Sequence, residues 1–187
     1  MASSSKPRRH AVALGTRNQA DFEESAAVWN ALGARLPADF PDVSLSAVQV
    51  VLTAVVSGQR IESAASTWLA PSGLTPPRFN ALMAIWLAEP EPISLSQVGR
   101  RMVTTRSNVT GVIDALERTK LVHRTPHPLD RRSTLLTLTE RGRAQLQGIL
   151  PVHFAALMQL AGRLSINEQR QLIRLLDRLC SELPNPN

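Results

Sequence analysis

Apolar residues recur at intervals of three and four over most of the chain, and the breaks fall on proline, glycine and Ser/Thr-rich junctions. After Asp21, the residues Phe22, Ala26, Trp29, Leu32 and Leu36 trace one face of an amphipathic helix that ends before Pro37. Pro37 to Val43 reads as a loop. Leu45 to Leu69 holds no strong breaker except Gly58, and its first half is apolar nearly all round. That pattern predicts a helix buried on several sides, terminated by Pro71-Ser72-Gly73.

Thr75-Pro76-Pro77 predicts a capped helix start, and Phe79, Leu82, Met83 and Trp86 give the helix that follows its apolar positions before Pro90. Ser94 and Gln97 form a capping box that opens a short helix to about Met102. Thr104-Thr105 caps a third helix to about Thr119, with Val109, Val112, Ile113 and Leu116 on one side. Its other face carries Arg106, Ser107, Asn108, Thr110, Asp114 and Arg118. Leu121–Arg124 and Ser133–Leu138 read as short strands joined by a hairpin tip, Thr125–Arg132. Thr139 caps a helix from Glu140 to about Gly162, which Pro151 is expected to kink. Ser165 and Glu168 make another capping box, and the last helix runs to about Cys180 with Leu172, Ile173, Leu176 and Leu179 on one side. The fold class is therefore mainly α with a small β-hairpin.

Charge changes this picture because it is concentrated. The chain of 187 residues carries 21 basic and 15 acidic residues, a formal net charge of +6. Residues 100–143 hold ten of the bases and four of the acids, so this segment carries the whole excess. A local basic field on a neutral body is the footprint of a polyanion binder. Nearly all the bases are arginine, whose planar fork grips phosphates or a guanine edge.

Three short helices followed by a hairpin make a winged helix-turn-helix, and here specific motifs appear. LTPPRFNAL at 74–82, ISLSQVGRRM at 93–102, TTRSNVTGVIDALERTKLVHR at 104–124 and DRRSTLLTLTERGR at 130–143 resemble the MarR family of transcription regulators. The flanking helices match the family's dimerisation ends. After a Ser-rich, basic stretch that reads as a disordered tail at 1–18, the resemblance implies N-terminal dimerisation helices at 19–72, a DNA-binding lobe at 73–139 and C-terminal dimerisation helices at 140–187. It also implies a homodimer on a pseudo-palindromic operator, usually a repressor released by a small ligand.

The residues support these expectations independently. Thr105, Arg106, Ser107, Asn108 and Thr110 sit at the start of the third helix, where short polar and Arg side chains reach base edges and phosphates. Gly111 departs from the family pattern, where a large residue is common, and lowers helix propensity. At the hairpin tip the resemblance sends Arg132 into the minor groove with Asp130 orienting it; an internal Asp130–Arg132 pair that stiffens the turn is compatible with that role. Arg124, Arg131 and His127 are candidates for phosphate contacts. The apolar stripes of the outer helices would be exposed on a monomer, which predicts that two chains interlock.

The resemblance also implies a ligand pocket between the dimer helices and the lobe. Trp29, Trp68 and Trp86 fall there, with Phe79, Asn80 and Met83 on the first lobe helix and Gln59 and Arg60 interrupting an apolar one. Apolar walls with a few polar anchors suit a small aromatic or phenolic acid, with Arg60 on its carboxylate. Each tryptophan taken singly is better explained as core, and Arg60 as a surface or interface ion-pair residue. The helix bearing Trp29 also resembles the family's urate-responsive subgroup. Asn80 stands where that subgroup has an acid, and Thr110 and Gly111 where it has an arginine, which points to a different aromatic or heteroaromatic ligand.

Other functions lack their residues. His10, His123, His127 and His153 are scattered, no nucleophile motif or Gly-rich phosphate loop occurs, and no metal or cofactor is expected. An enzyme is therefore not expected; the alternative is a non-sensory, architectural DNA-binding protein. Cys180 is alone, which excludes an internal disulfide, and its leucine surroundings predict an inert buried thiol. The longest apolar stretch, Ala47–Val56, is far short of the roughly 20 residues that span a bilayer. With no apolar signal core after the basic start, the expectation is a cytoplasmic protein with no membrane partner.

Overall fold

The computed structural model describes residues 40–102, 106–130 and 133–183, together with Ala31 and Arg35. Both of those isolated residues are helical; the rest of the helix predicted from Asp21 to Leu36 lies outside the described residues. The elements are α1 (Leu45–Leu69), a 3-10 turn (Ala70–Ser72), α2 (Pro76–Trp86), β1 (Ile93–Ser94), α3 (Leu95–Met102), α4 (Arg106–Arg118), β2 (Val122–Pro126), β3 (Thr134–Leu138), α5 (Glu140–Ala161) and α6 (Ile166–Cys180). The chain divides into two units, Met1–Ala64 and Ala65–Asn187.

The first unit is described mainly through α1. Ser44 opens this helix, its hydroxyl accepting from Ala47 N at 3.3 Å. Among the described residues the expected burial of α1 on several sides is not found: Val50, Val51, Leu52, Val55 and Ile61 are exposed, and the helix's buried residues are Trp68 and Leu69 at the far end. Apolar periodicity reports that a face will be covered, not which chain covers it.

The second unit is built around α2. Phe79, Leu82 and Ile85 of that helix are buried with Val98 of α3, Val109, Ile113 and Leu116 of α4, Leu136 and Leu138 of β3, and Leu146 of α5. Thr75 is the N-cap of α2 by its extended backbone, but its side chain makes no capping bond, contrary to expectation. Pro76 and Pro77 lack the N–H groups at the first two positions, so a cap has little to accept there.

The box at Ser94 forms as expected. Gln97 Oε1 accepts from Ser94 N at 2.8 Å, and Gln97 N donates to Ser94 Oγ at 3.3 Å. The residues just before it add a strand that the pattern did not predict: β1 pairs antiparallel with β3, Ile93 opposite Leu136. The sheet order is β1-β3-β2, and Val122 lies opposite Leu138 and Arg124 opposite Leu136.

Between α4 and β2 the chain reverses through Lys120, at φ 58°. Lys120 N donates to Glu117 O at 2.8 Å and Leu121 N to Leu116 O at 2.9 Å, the bond pair of a Schellman C-cap. Thr139 then starts α5, accepting from Gly142 N at 2.9 Å and donating to Lys120 O at 2.8 Å. Pro151 lies inside α5. The chain bends by 97° between α5 and α6. Ser165 and Glu168 close the expected box at the start of α6. Cys180 at its end is exposed, not buried as expected, because the leucines around it are themselves uncovered in one chain.

Candidate nucleic-acid interface

Helices α3 and α4 and the paired strands β2 and β3 carry the basic segment. Helix α4 buries Val109, Ile113 and Leu116 against the lobe and turns Asn108, Gly111, Asp114 and Arg118 outward, with Thr110 half-buried. Residues spaced by three and four form one helical face, so this strip is what the packing of α4 presents outward. Gly111 has open space around its missing Cβ, so nothing in the lobe requires a glycine there. Arg106 and Ser107 open α4; their side chains, and Thr105 entirely, lie outside the described residues.

The hairpin tip is held by backbone bonds, His127 N to Ser133 O at 3.1 Å and Ser133 N to Asp130 O at 2.9 Å. His127 Nδ1 accepts from Leu129 N at 3.2 Å, which gives this side chain a role inside the turn. Asp130 is exposed; Arg131 and Arg132 lie outside the described residues. Further cations flank the strip: Arg100 and Arg101 in the last turn of α3, Arg118 in the last turn of α4, and Lys120 beyond it, all exposed.

Arg124, expected to contact phosphate, is engaged inside the lobe. Its Nη2 donates to Asp114 Oδ1, and its buried Nε lies 3.2 Å from Glu117 Oε2, a charge contact without hydrogen-bond alignment.

Of the expected ligand residues, the structure brings Asn80 and Met83 together. They line a cleft of about 580 Å³ with Ala84, Leu87, Arg101 and Met102. Arg60, the cation expected for a pocket between the dimer helices and the lobe, lies half-buried on α1 in the first unit. The cation lining the cleft is Arg101, whose Nη1 donates to Ala84 O at 2.7 Å. Ala88 N bonds Ile85 O instead of continuing the helix, so Arg101 satisfies a carbonyl at the end of α2. The basic pair GRRM contained this cation, but only folding placed it against α2.

Trp68 is buried and is not part of that lining. Its Nε1 donates to His153 Nδ1 at 3.1 Å, and the His153 ring packs on Phe79 with centroids 4.4 Å apart. Burial holds the His153 pKa below its usual value. Trp86 is half-buried, and Trp29 lies outside the described residues. No cluster of His, Cys, Asp and Glu suited to a metal occurs among the described residues. Among them, too, no single helix is long and apolar enough to cross a membrane.

Comparison with known proteins agrees with this geometry. Residues 74–134 match the MarR family. The chain is 37% identical over 106 residues to the HTH-type transcriptional regulator YkoM of Bacillus subtilis, covering 57% of this chain and 68% of that protein. It is 24% identical over 144 residues to the transcriptional repressor YetL of the same organism, covering 77% and 86%. The structure of BpsR from Bordetella bronchiseptica, whose DNA binding is regulated by 6-hydroxynicotinic acid, superposes with a TM-score of 0.64 at 28% identity, covering 70% of this chain and 98% of that one.

Proposed function

The chain belongs to the MarR family of DNA-binding transcription regulators, which are not enzymes, and from that premise we propose that it is a homodimeric repressor released from a pseudo-palindromic operator by a small aromatic or phenolic acid. The observation that carries the reading is the outward strip of α4, which sets polar side chains at the start of a helix beside a hairpin within the segment that holds the whole charge excess. Asn108 is suited to an adenine edge, Thr110 to a thymine methyl, and Arg106 to a guanine. Thr105, Ser107 and Arg131 add phosphate contacts at the helix start and hairpin. Arg132 enters the minor groove, oriented by Asp130.

Residues 73–139 form the DNA-binding lobe in this reading. Residues 19–72 and 140–187 pair two chains, after a basic tail at 1–18. The protein acts in the cytoplasm, beside the DNA it regulates. The ligand seats in the α2–α3 cleft, with Met83, Leu87 and Met102 on its ring and Arg101 and Asn80 on its polar groups. A heteroaromatic acid regulating BpsR supports that chemical class. The lining of the cleft includes Met102, the last residue of α3, four positions before α4 begins at Arg106, so a ligand there acts close in the chain to the reading helix.

Fluorescence anisotropy on a duplex from just upstream of the protein's own gene tests the proposal, with random duplex of equal length as competitor. A specificity ratio above roughly 10³ is expected. So is release by 6-hydroxynicotinate or salicylate, weakened in Arg101→Gln. Arg132→Ala should reduce affinity at least about tenfold. Equal, salt-steep binding to both duplexes would favour an architectural binder, and absence of binding at low salt would overturn the DNA-binding role.

A further inference from the structure

Helix α4 carries two acids into a surface read here as facing a polyanion. Asp114 and Glu117 have side chains 49% and 46% exposed, and Asp114 shares the outward strip with Asn108 and Gly111. Uncompensated carboxylates on that strip repel phosphate oxygens. A single residue from another element, Arg124 of β2, meets both of them, Nη2 on Asp114 and Nε against Glu117, with its own side chain only 26% exposed.

Resting on the DNA-binding reading above, we infer that Arg124 is a positioning residue, which masks the two acids of the recognition helix and ties the first wing strand to it, and not a ligand of phosphate. Two of the guanidinium's nitrogens are turned inward to carboxylates, so its charge is largely spent within the lobe. The bridge spans the corner between α4 and β2, whose backbone link is the short reversal through Lys120. It therefore sets the angle at which helix and hairpin meet DNA together. Like charges at i and i+3 on a helix repel, so the same contact also relieves a strain within α4.

The prediction is a thermodynamic coupling. Operator affinity is measured for the full-length protein, Arg124→Met, the double variant Asp114→Asn/Glu117→Gln, and the triple variant, each across a range of salt. Arg124→Met should lose at least about tenfold in affinity with the acids present, and less than about threefold with the acids replaced. The slope of log affinity against log salt should stay at the wild-type value in Arg124→Met, whereas losing a phosphate ligand would lower it by roughly 0.9 per contact. An equal loss in both backgrounds, or a reduced slope, overturns the assignment. Thermal unfolding of each variant separates loss of binding from loss of fold, and the triple variant regains binding only if Arg124 works through the acids. Failure of the wild-type protein to bind DNA at low salt would instead overturn the reading on which this inference rests.

Discussion

Gly142 and Gly111 show how differently two glycines of one lobe are constrained. A Cβ at Gly142 would lie 2.1 Å from Leu121 O, a backbone atom fixed by its bond from Thr139 N. Gly142→Ala must push the first turn of α5 away from the start of β2, costing about 1–3 kcal/mol as overpacking does. Chemical denaturation should show it as a lowered midpoint with unchanged slope. At Gly111 the added Cβ meets nothing within 4 Å. Gly111→Ala should therefore stabilise the protein by up to about 1 kcal/mol through helix propensity alone. A fall in stability there would mean that the added methyl meets a conflict the open space around Gly111 does not show. The sequence pattern held both glycines, but only the second was legible in it. The conflict at Gly142 is with Leu121, a residue distant in the chain, and no local pattern encodes it.

Elements were legible where local hydrogen bonding decides them. The boxes at Ser94/Gln97 and Ser165/Glu168 and the cap at Thr139 form as their spacing predicts, because each needs only residues three apart. Strand β1 was not legible, since two residues acquire strand character only through β3. The tie between α1, α2 and α5 at His153 was equally hidden, being made of Trp68, Phe79 and an imidazole that the sequence shows only as one of four scattered histidines. It carries a pH dependence. Burial lowers the folded His153 pKa from its usual 6.5, and accepting from Trp68 Nε1 requires a neutral Nδ1. Above 6.5 both the folded and unfolded imidazoles are neutral and the contribution is complete. As pH falls through 6.5, the unfolded chain takes up a proton that the fold resists, so stability declines until the folded imidazole itself protonates. The melting temperature should drop further between about pH 7.5 and 5.5 in the wild type than in His153→Gln. Equal drops would assign the acid sensitivity to other groups.

Across the whole molecule, the largest mismatch between sequence pattern and one folded chain is the uncovered apolar surface of the outer helices. Leu172, Ile173, Leu176 and Leu179 of α6 form the stripe that periodicity predicts, yet all four are exposed, Ile173 by 59%. Val50, Val51 and Val55 of α1 are likewise exposed. Monomeric proteins rarely leave a contiguous apolar stripe such as that of α6 in water. In the proposed homodimer a second copy would cover it and, on a two-fold operator, would set the two α4 helices about one DNA turn apart, roughly 34 Å. Each lobe alone would hold only a half-site. Replacing Ile173 and Leu176 together by glutamate puts like charges into that stripe while leaving the buried lobe residues untouched. Sedimentation should then change from a dimer to a monomer at micromolar concentration, and operator affinity should fall by orders of magnitude, while the wing and its ion pairs stay intact. A wild-type protein that sediments as a stable monomer, or a charged variant that remains dimeric, would place the interface elsewhere.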